Sequence, residues 1–165
     1  MSSCITLLCA LLLLLGLSVE ASSGGGGTTS FSYDLSGPAL LALLNSPVHL
    51  AERMKRPLDG FSWQRGCLSH SGVRVTLADG SQWLVHKGDK FGISSQTVVV
   101  DARHMSDAWE VFEKKDFNGE DTVSDFVEAG GTDYTLVFNN CHAASLNMME
   151  KESKRSWWCT RLACC

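Results

Sequence analysis

The stretch VRVTLADGSQWLVHKG, residues 73–88, constrains the fold more than any other part of the chain. Two runs of alternating apolar and polar residues flank Asp79-Gly80. A period of two turns one face of each run toward a core. An Asp-Gly pair between such runs predicts a two-residue type I′ hairpin, because both central residues must take positive φ and this pair tolerates it. That loop sets a register in which Leu77 faces Gln82, Val75 faces Leu84 and Val73 faces His86. Directly opposed residues share a face, so His86 is expected on the apolar side with Val73, Val75, Leu77 and Leu84.

Further elements follow from local signals. QTVVVDA, residues 96–102, reads as a third strand, its three valines predicting cover on both faces. Residues 133–138, DYTLVF, read as another strand. Residues 37–44 have helical spacing, with Ser36 as cap and Pro38 in the first turn. The same spacing predicts a helix over residues 48–55, after Pro47. Ser106 is expected to cap a helix through DAWEVFEKK. Asp121 or Thr122 starts VSDFVEA, which Gly130-Gly131 ends. NNCHAASLNMMEK, from Asn139, reads as a helix capped by Asn140. The chain is therefore expected to be α+β, a small antiparallel sheet packed against helices, with the cysteine-bearing helix after the histidine-bearing hairpin.

The N-terminal residues carry an address rather than a fold. Residues 5–17 are apolar but short for a bilayer span, and Val19 and Ala21 suit signal-peptidase cleavage. Residues 1–21 are thus expected to be a signal peptide, and the protein to be secreted. Residues 22–32 are a Gly/Ser/Thr leader with little to bury. Residues 33–150 form the expected domain, and 151–165 a basic tail rich in cysteine and tryptophan. The formal charge of −4 becomes −3 once Glu20 is removed, which gives no reason to expect a nucleic-acid partner. Trp157 and Trp158 suit a membrane surface in principle, but so short a basic stretch on an acidic chain favours packing on the domain.

The seven cysteines lose Cys4 and Cys9 with the leader. Five remain, an odd number in an oxidising compartment. Cys67, Cys159, Cys164 and Cys165 are the disulfide candidates, which leaves Cys141. Asn140 places Cys141 in the first helical turn, where unpaired amides carry partial positive charge. That field is expected to lower the thiol pKa and favour a nucleophilic thiolate. Of the five histidines, His86 is the first choice as general base, being on a strand where a helix should dock. Asp101, at the end of the next strand, is the first choice to orient it, and His70 the second. The plain alternatives are a disulfide at Cys141, a hydrogen-bonded core histidine at His86 and a helix cap at Asp101. The cysteines lack paired CxxC spacing and the histidines are scattered, so no metal site is expected, and no cofactor motif appears.

VTLADGSQWLVHKG followed by YTLVFNNCHAAS resembles the circularly permuted papain-like hydrolases, which include NlpC-related, lecithin:retinol acyltransferase-like and PPPDE-type proteins. The likeness covers residues 72–150. It implies a thiol hydrolase or acyltransferase with Cys141 as nucleophile, acting on a small-molecule, peptide or lipid-acyl substrate. In many of these families the base sits on the first hairpin strand and a second polar residue on the next. The first strand, read here as residues 73–78, has no histidine. The likeness then gives His86 the orienting position and leaves the base to His70, just before the strand, or to no residue. His142-Ala143 also departs from the acidic residue and histidine that follow the cysteine in the acyltransferase branch. An inactive, disulfide-stapled binding or defence protein is the rival expectation.

Overall fold

The computed structural model describes residues 35, 37–58, 69–88, 96–135 and 140–151. The expected signal peptide, the leader, Cys67, Cys159, Cys164, Cys165, Trp157 and Trp158 lie outside them, as do residues 136–138 of the expected final strand.

Helix α1, Gly37–Leu44, matches the expected span. Strand β1, Pro47–Pro57, then replaces the helix expected over residues 48–55. The misleading spacing has a structural origin. The pairing of β1 slips between Val48 and Leu50, a bulge that changes which face later residues occupy. Val48 and Ala51, both fully buried, point to the same core although they are three residues apart. Alternation interrupted by a bulge thus imitates a helical period. Its two prolines stand at the first and last residues of the strand, where a missing amide donor is tolerated.

Strands β2, Ser69–Leu77, and β3, Gln82–Lys87, form the hairpin. Strand β4, Thr97–Asp101, pairs with β3, and β5, Glu110–Thr122, pairs with β1. All four pairings are antiparallel, in the order β4-β3-β2-β1-β5. Helices α2, Val123–Gly130, and α3, Cys141–Met149, complete a small α+β fold.

The hairpin register differs by one residue from the expected one. Gly72 faces His86, Val73 faces Val85 and Val75 faces Trp83. The turn has three residues, not two. The Gly80 amide donates to the Leu77 carbonyl at 3.0 Å, and the Leu77 amide donates to Ser81 at 3.0 Å. Only Gly80 in that turn has positive φ, at 82°, so a type I′ loop is excluded. Asp79 instead accepts from the Ser81 amide and hydroxyl at 2.9 and 2.7 Å, closing an Asx-type turn.

This register gives the sheet two different faces. Val73, Val75, Leu77 and Val85 pack with Phe117, Val123, Phe126, Ala144 and Met148 under α2 and α3. The Phe117 and Phe126 rings meet edge-on at 4.9 Å. The opposite face carries Met54, Leu84 and Val100, all buried, together with His70 and His86. The helix expected after Ser106 does not form; its residues 110–115 enter β5. Cross-strand charge decides this over the helical propensity of Glu and Lys: Lys114 reaches Glu52 at 2.8 Å, and Glu113 approaches Arg53 at 3.9 Å.

Helix ends are tied by residues that lie close in sequence or in space. At the start of α2, Thr122 accepts from the Asp125 amide while Asp125 accepts from the Thr122 amide at 2.8 Å, a capping box. Lysines serve the opposite ends, where carbonyls carry partial negative charge. The buried Lys87 ammonium donates to Gly130 at 3.0 Å, and Lys115 donates to Met149 at 2.9 Å. Among the described residues no helix is long and apolar enough to cross a membrane.

Replacing Thr122 by Ala removes the hydroxyl half of the capping box. A loss of about 1 kcal/mol in unfolding free energy is expected. The shift of the urea midpoint, at constant slope, measures it.

Candidate active site

Asn140 caps α3 as expected, its side-chain oxygen accepting from the His142 and Ala143 amides at 3.0 and 3.1 Å. Cys141 is the first helical residue, 6% exposed, with a free thiol. The helix is held on β2 by a buried polar network one turn below it. Ser145 and Ser71 hydroxyls lie 2.8 Å apart, Ser71 donates to the Met54 carbonyl at 3.1 Å, and Arg53 Nε donates to Ser145 at 3.1 Å. Every hydroxyl there has a donor or acceptor role, so burial leaves none unsatisfied. His142 adds a clamp, its Nε2 2.7 Å from the Ser69 carbonyl.

The electrostatics of Cys141 run against the expected direction. Burial raises its thiol pKa above the ordinary value. The amides of Ser71, His142 and Cys141 itself, and the charge of Arg56, oppose that rise without reversing it. Excluding water from the sulfur outweighs the field of a nine-residue helix. Main-chain amides of Ser71, His142 and Cys141 itself donate toward the sulfur.

The histidines sort by register. His70 lies within β2, not before it, because the strand begins at Ser69. His70 and His86 share the face turned away from α3, and His70 Nε2 lies 3.1 Å from His86 Nδ1. The two rings are nearly perpendicular, at 88° and 5.2 Å. Gly72 makes room for this pair: a Cβ there would stand 2.9 Å from His86 Cβ. His86 is therefore not beneath the docking helix with Val73 and Val75, as the two-residue loop had implied. Burial, reinforced by the Arg56 charge, lowers its pKa to about 4, so it is neutral at physiological pH. Trp109 packs on the other side of His70, ring centroids 5.4 Å apart.

Asp101 stands apart from this pair. Its carboxylate accepts from the Arg103 amide at 2.9 Å and approaches the Arg103 guanidinium at 3.6 Å. It caps the short 3-10 turn Ala102–His104, which is the plain role open to a strand-end aspartate. His49 and His104 are exposed. Among the described residues no three His, Cys, Asp or Glu side chains are grouped to hold a metal ion. The structure thus brings His70 and His86 together, sets Cys141 against the Ser71 amide next to His70, and leaves Asp101 elsewhere. The signal that relates His70 to His86 was present in the sequence as their spacing about Asp79-Gly80, but a loop length wrong by one residue concealed it.

Comparisons of the chain with protein-family models, with curated proteins and with solved structures return no match.

A neutral His86 makes stability depend on pH. Its folded pKa lies below the unfolded value of 6.5. Below pH 6.5 the unfolded chain takes up a proton that the folded site refuses until about pH 4. Its contribution is therefore intact above pH 6.5 and falls by on the order of 3 kcal/mol down to about pH 4. In His86→Asn, urea midpoints measured over that window should decline less steeply than in the parent. Parallel profiles for the two proteins would refute a buried neutral imidazole.

Proposed function

We propose that the protein is a thiol hydrolase or acyltransferase of permuted papain-like arrangement, with Cys141 as nucleophile, His70 as general base and His86 as the residue that positions His70. One observation carries this reading. The sulfur of the first residue of α3 takes the amide of Ser71, whose neighbour His70 is hydrogen-bonded to a neutral His86. The order of parts also supports it: His70 on the first hairpin strand, His86 on the second, and Cys141 opening the helix that follows the sheet. With β2 beginning at Ser69, the first hairpin strand does carry a histidine.

The chemistry is that of a thiol deprotonated during attack rather than a resting ion pair, because burial keeps the sulfur protonated. In the tautomer where His86 Nδ1 accepts, His70 keeps its Nε2 proton and offers Nδ1 as base. The Cys141 sulfur bonds to the acyl carbon of an ester or amide and its proton passes by way of a water to His70, whose ring lies on the opposite face of β2. The leaving group departs with that proton, and water or a second acceptor then takes the acyl group from the thioester. The reading also places the protein outside the cell, on the apolar run of residues 5–17 and the Val-x-Ala that follows; N-terminal sequencing of exported protein should begin at Ser22.

A second reading, a catalytically inactive disulfide-stapled binding or defence protein, is favoured by the raised thiol pKa.

p-Nitrophenyl acetate separates the two. The first reading expects a burst of nitrophenolate equal to one equivalent of protein, lost in Cys141→Ala and slowed by roughly a hundredfold or more in His70→Ala. No burst in the folded protein would establish the inactive reading. Alkylation by iodoacetamide tests the protonation state. Its rate should still be climbing above pH 9, the reference value of a free thiol; a plateau reached below pH 7 would mean a preformed thiolate and overturn the proposed sequence of proton transfer.

A further inference from the structure

A cavity of about 610 Å³ opens on the sheet face turned away from α3. Met54, Arg74 and Gln82 contribute from β1, β2 and β3, and Arg103, Met105 and Trp109 from the segment after β4. The volume falls in the range of roughly 300–1,000 Å³ that small-molecule sites occupy. Two kinds of wall meet there. Met54 is buried, and Met105 and Trp109 are half-buried. Two thioethers and an indole present a polarizable apolar surface suited to a flat ring. The indole is itself fixed from outside the cavity by the edge of His70 and by the Arg56 guanidinium, 5.5 Å from its centroid.

The second wall is cationic. Arg74 is held by Nε and Nη2 on Glu52, while its Nη1 has no protein partner among the described residues. Glu52 also accepts Lys114 at 2.8 Å, so Arg74 shares its carboxylate with a second, exposed cation. On the far side Arg103 balances Asp101, and Asp107 at the rim is exposed and screened by solvent. A guanidinium held in place with spare N–H donors, beside an indole and two thioethers in an otherwise polar cavity, is the chemistry that recognises an organic acid. We propose that this cavity binds a flat, apolar-bodied organic anion, its ring against Trp109 and the two methionines and its acidic group on Arg74. The site is independent of Cys141 and stands whether or not the protein is a hydrolase.

The test compares two probes on the folded full chain at neutral pH: 8-anilinonaphthalene-1-sulfonate and the uncharged N-phenyl-1-naphthylamine. Saturable binding at one site is expected, with the sulfonate about tenfold tighter, as one charge-assisted contact provides. Ser106→Trp, at an exposed position lining the mouth, should weaken both probes, and Met105→Trp serves the same end if that variant does not fold. Glu52→Gln combined with Arg74→Gln removes carboxylate and guanidinium together and should weaken only the sulfonate. Absence of saturable binding, or emission that grows only as the chain unfolds, would overturn the site. Equal affinity for the two probes in the parent protein would overturn the assignment of an anion.

Discussion

The pairing of Gly72 with His86 governs what each face of the sheet can do. Side chains alternate along a strand, so a slip of one residue exchanges its two faces. With the observed pairing, Val73, Val75 and Val85 lie under α2 and α3, while His70, His86, Leu84 and Arg74 turn to the other side. The three-residue turn closed by Gly80 enforces this register, and the missing side chain of Gly72 permits it. A slip by one would drive a histidine beneath the helices and put valines against Trp109. The histidine pair, the seat of Cys141 and the cavity all presuppose this one alignment.

Burial on both faces then sets the chemistry. The same exclusion of water that keeps His86 neutral raises the pKa of Cys141, since each charged form loses its hydration. Two of the charges that remain inside are matched. Glu52 sits between Arg74 and Lys114, whose hydrogen bonds and charges overcome the opposing effect of burial and hold its carboxyl below the ordinary range. Lys87 is buried against the C-terminal carbonyls of α2, where the helix dipole favours a cation. These pairings join elements far apart in sequence, so they specify how helices and sheet meet as well as contributing to stability.

Particular residues show how much was legible beforehand. Asn140 announced one helix start, and Asp121 or Thr122 another that the structure gives to Thr122, because a cap is decided by an oxygen and an amide two or three residues away. The run of valines in β4 was equally plain, although at the end of the described strand order it leaves Val98 and Val99 only half-buried. β1 was misread because its bulge gave apolar residues a three-residue spacing. β5 was misread because Glu, Lys and Trp after a serine suit a helix, while the ladder and the charges waiting on β1 belong to a distant element.

Of the candidate site, Cys141 at a helix start and the two histidines about the hairpin were visible in the chain. Their relation was not. By itself the sequence determined the caps, the place of the turn and the chemical types available, because each depends on neighbours a few residues away. Only the tertiary structure decided which face His70 and His86 share, that Asp101 serves Arg103 instead of an imidazole, and that the Cys141 pKa moves up. Those outcomes depend on strand register and on how completely distant elements exclude water, and neither is encoded in any short stretch of the chain.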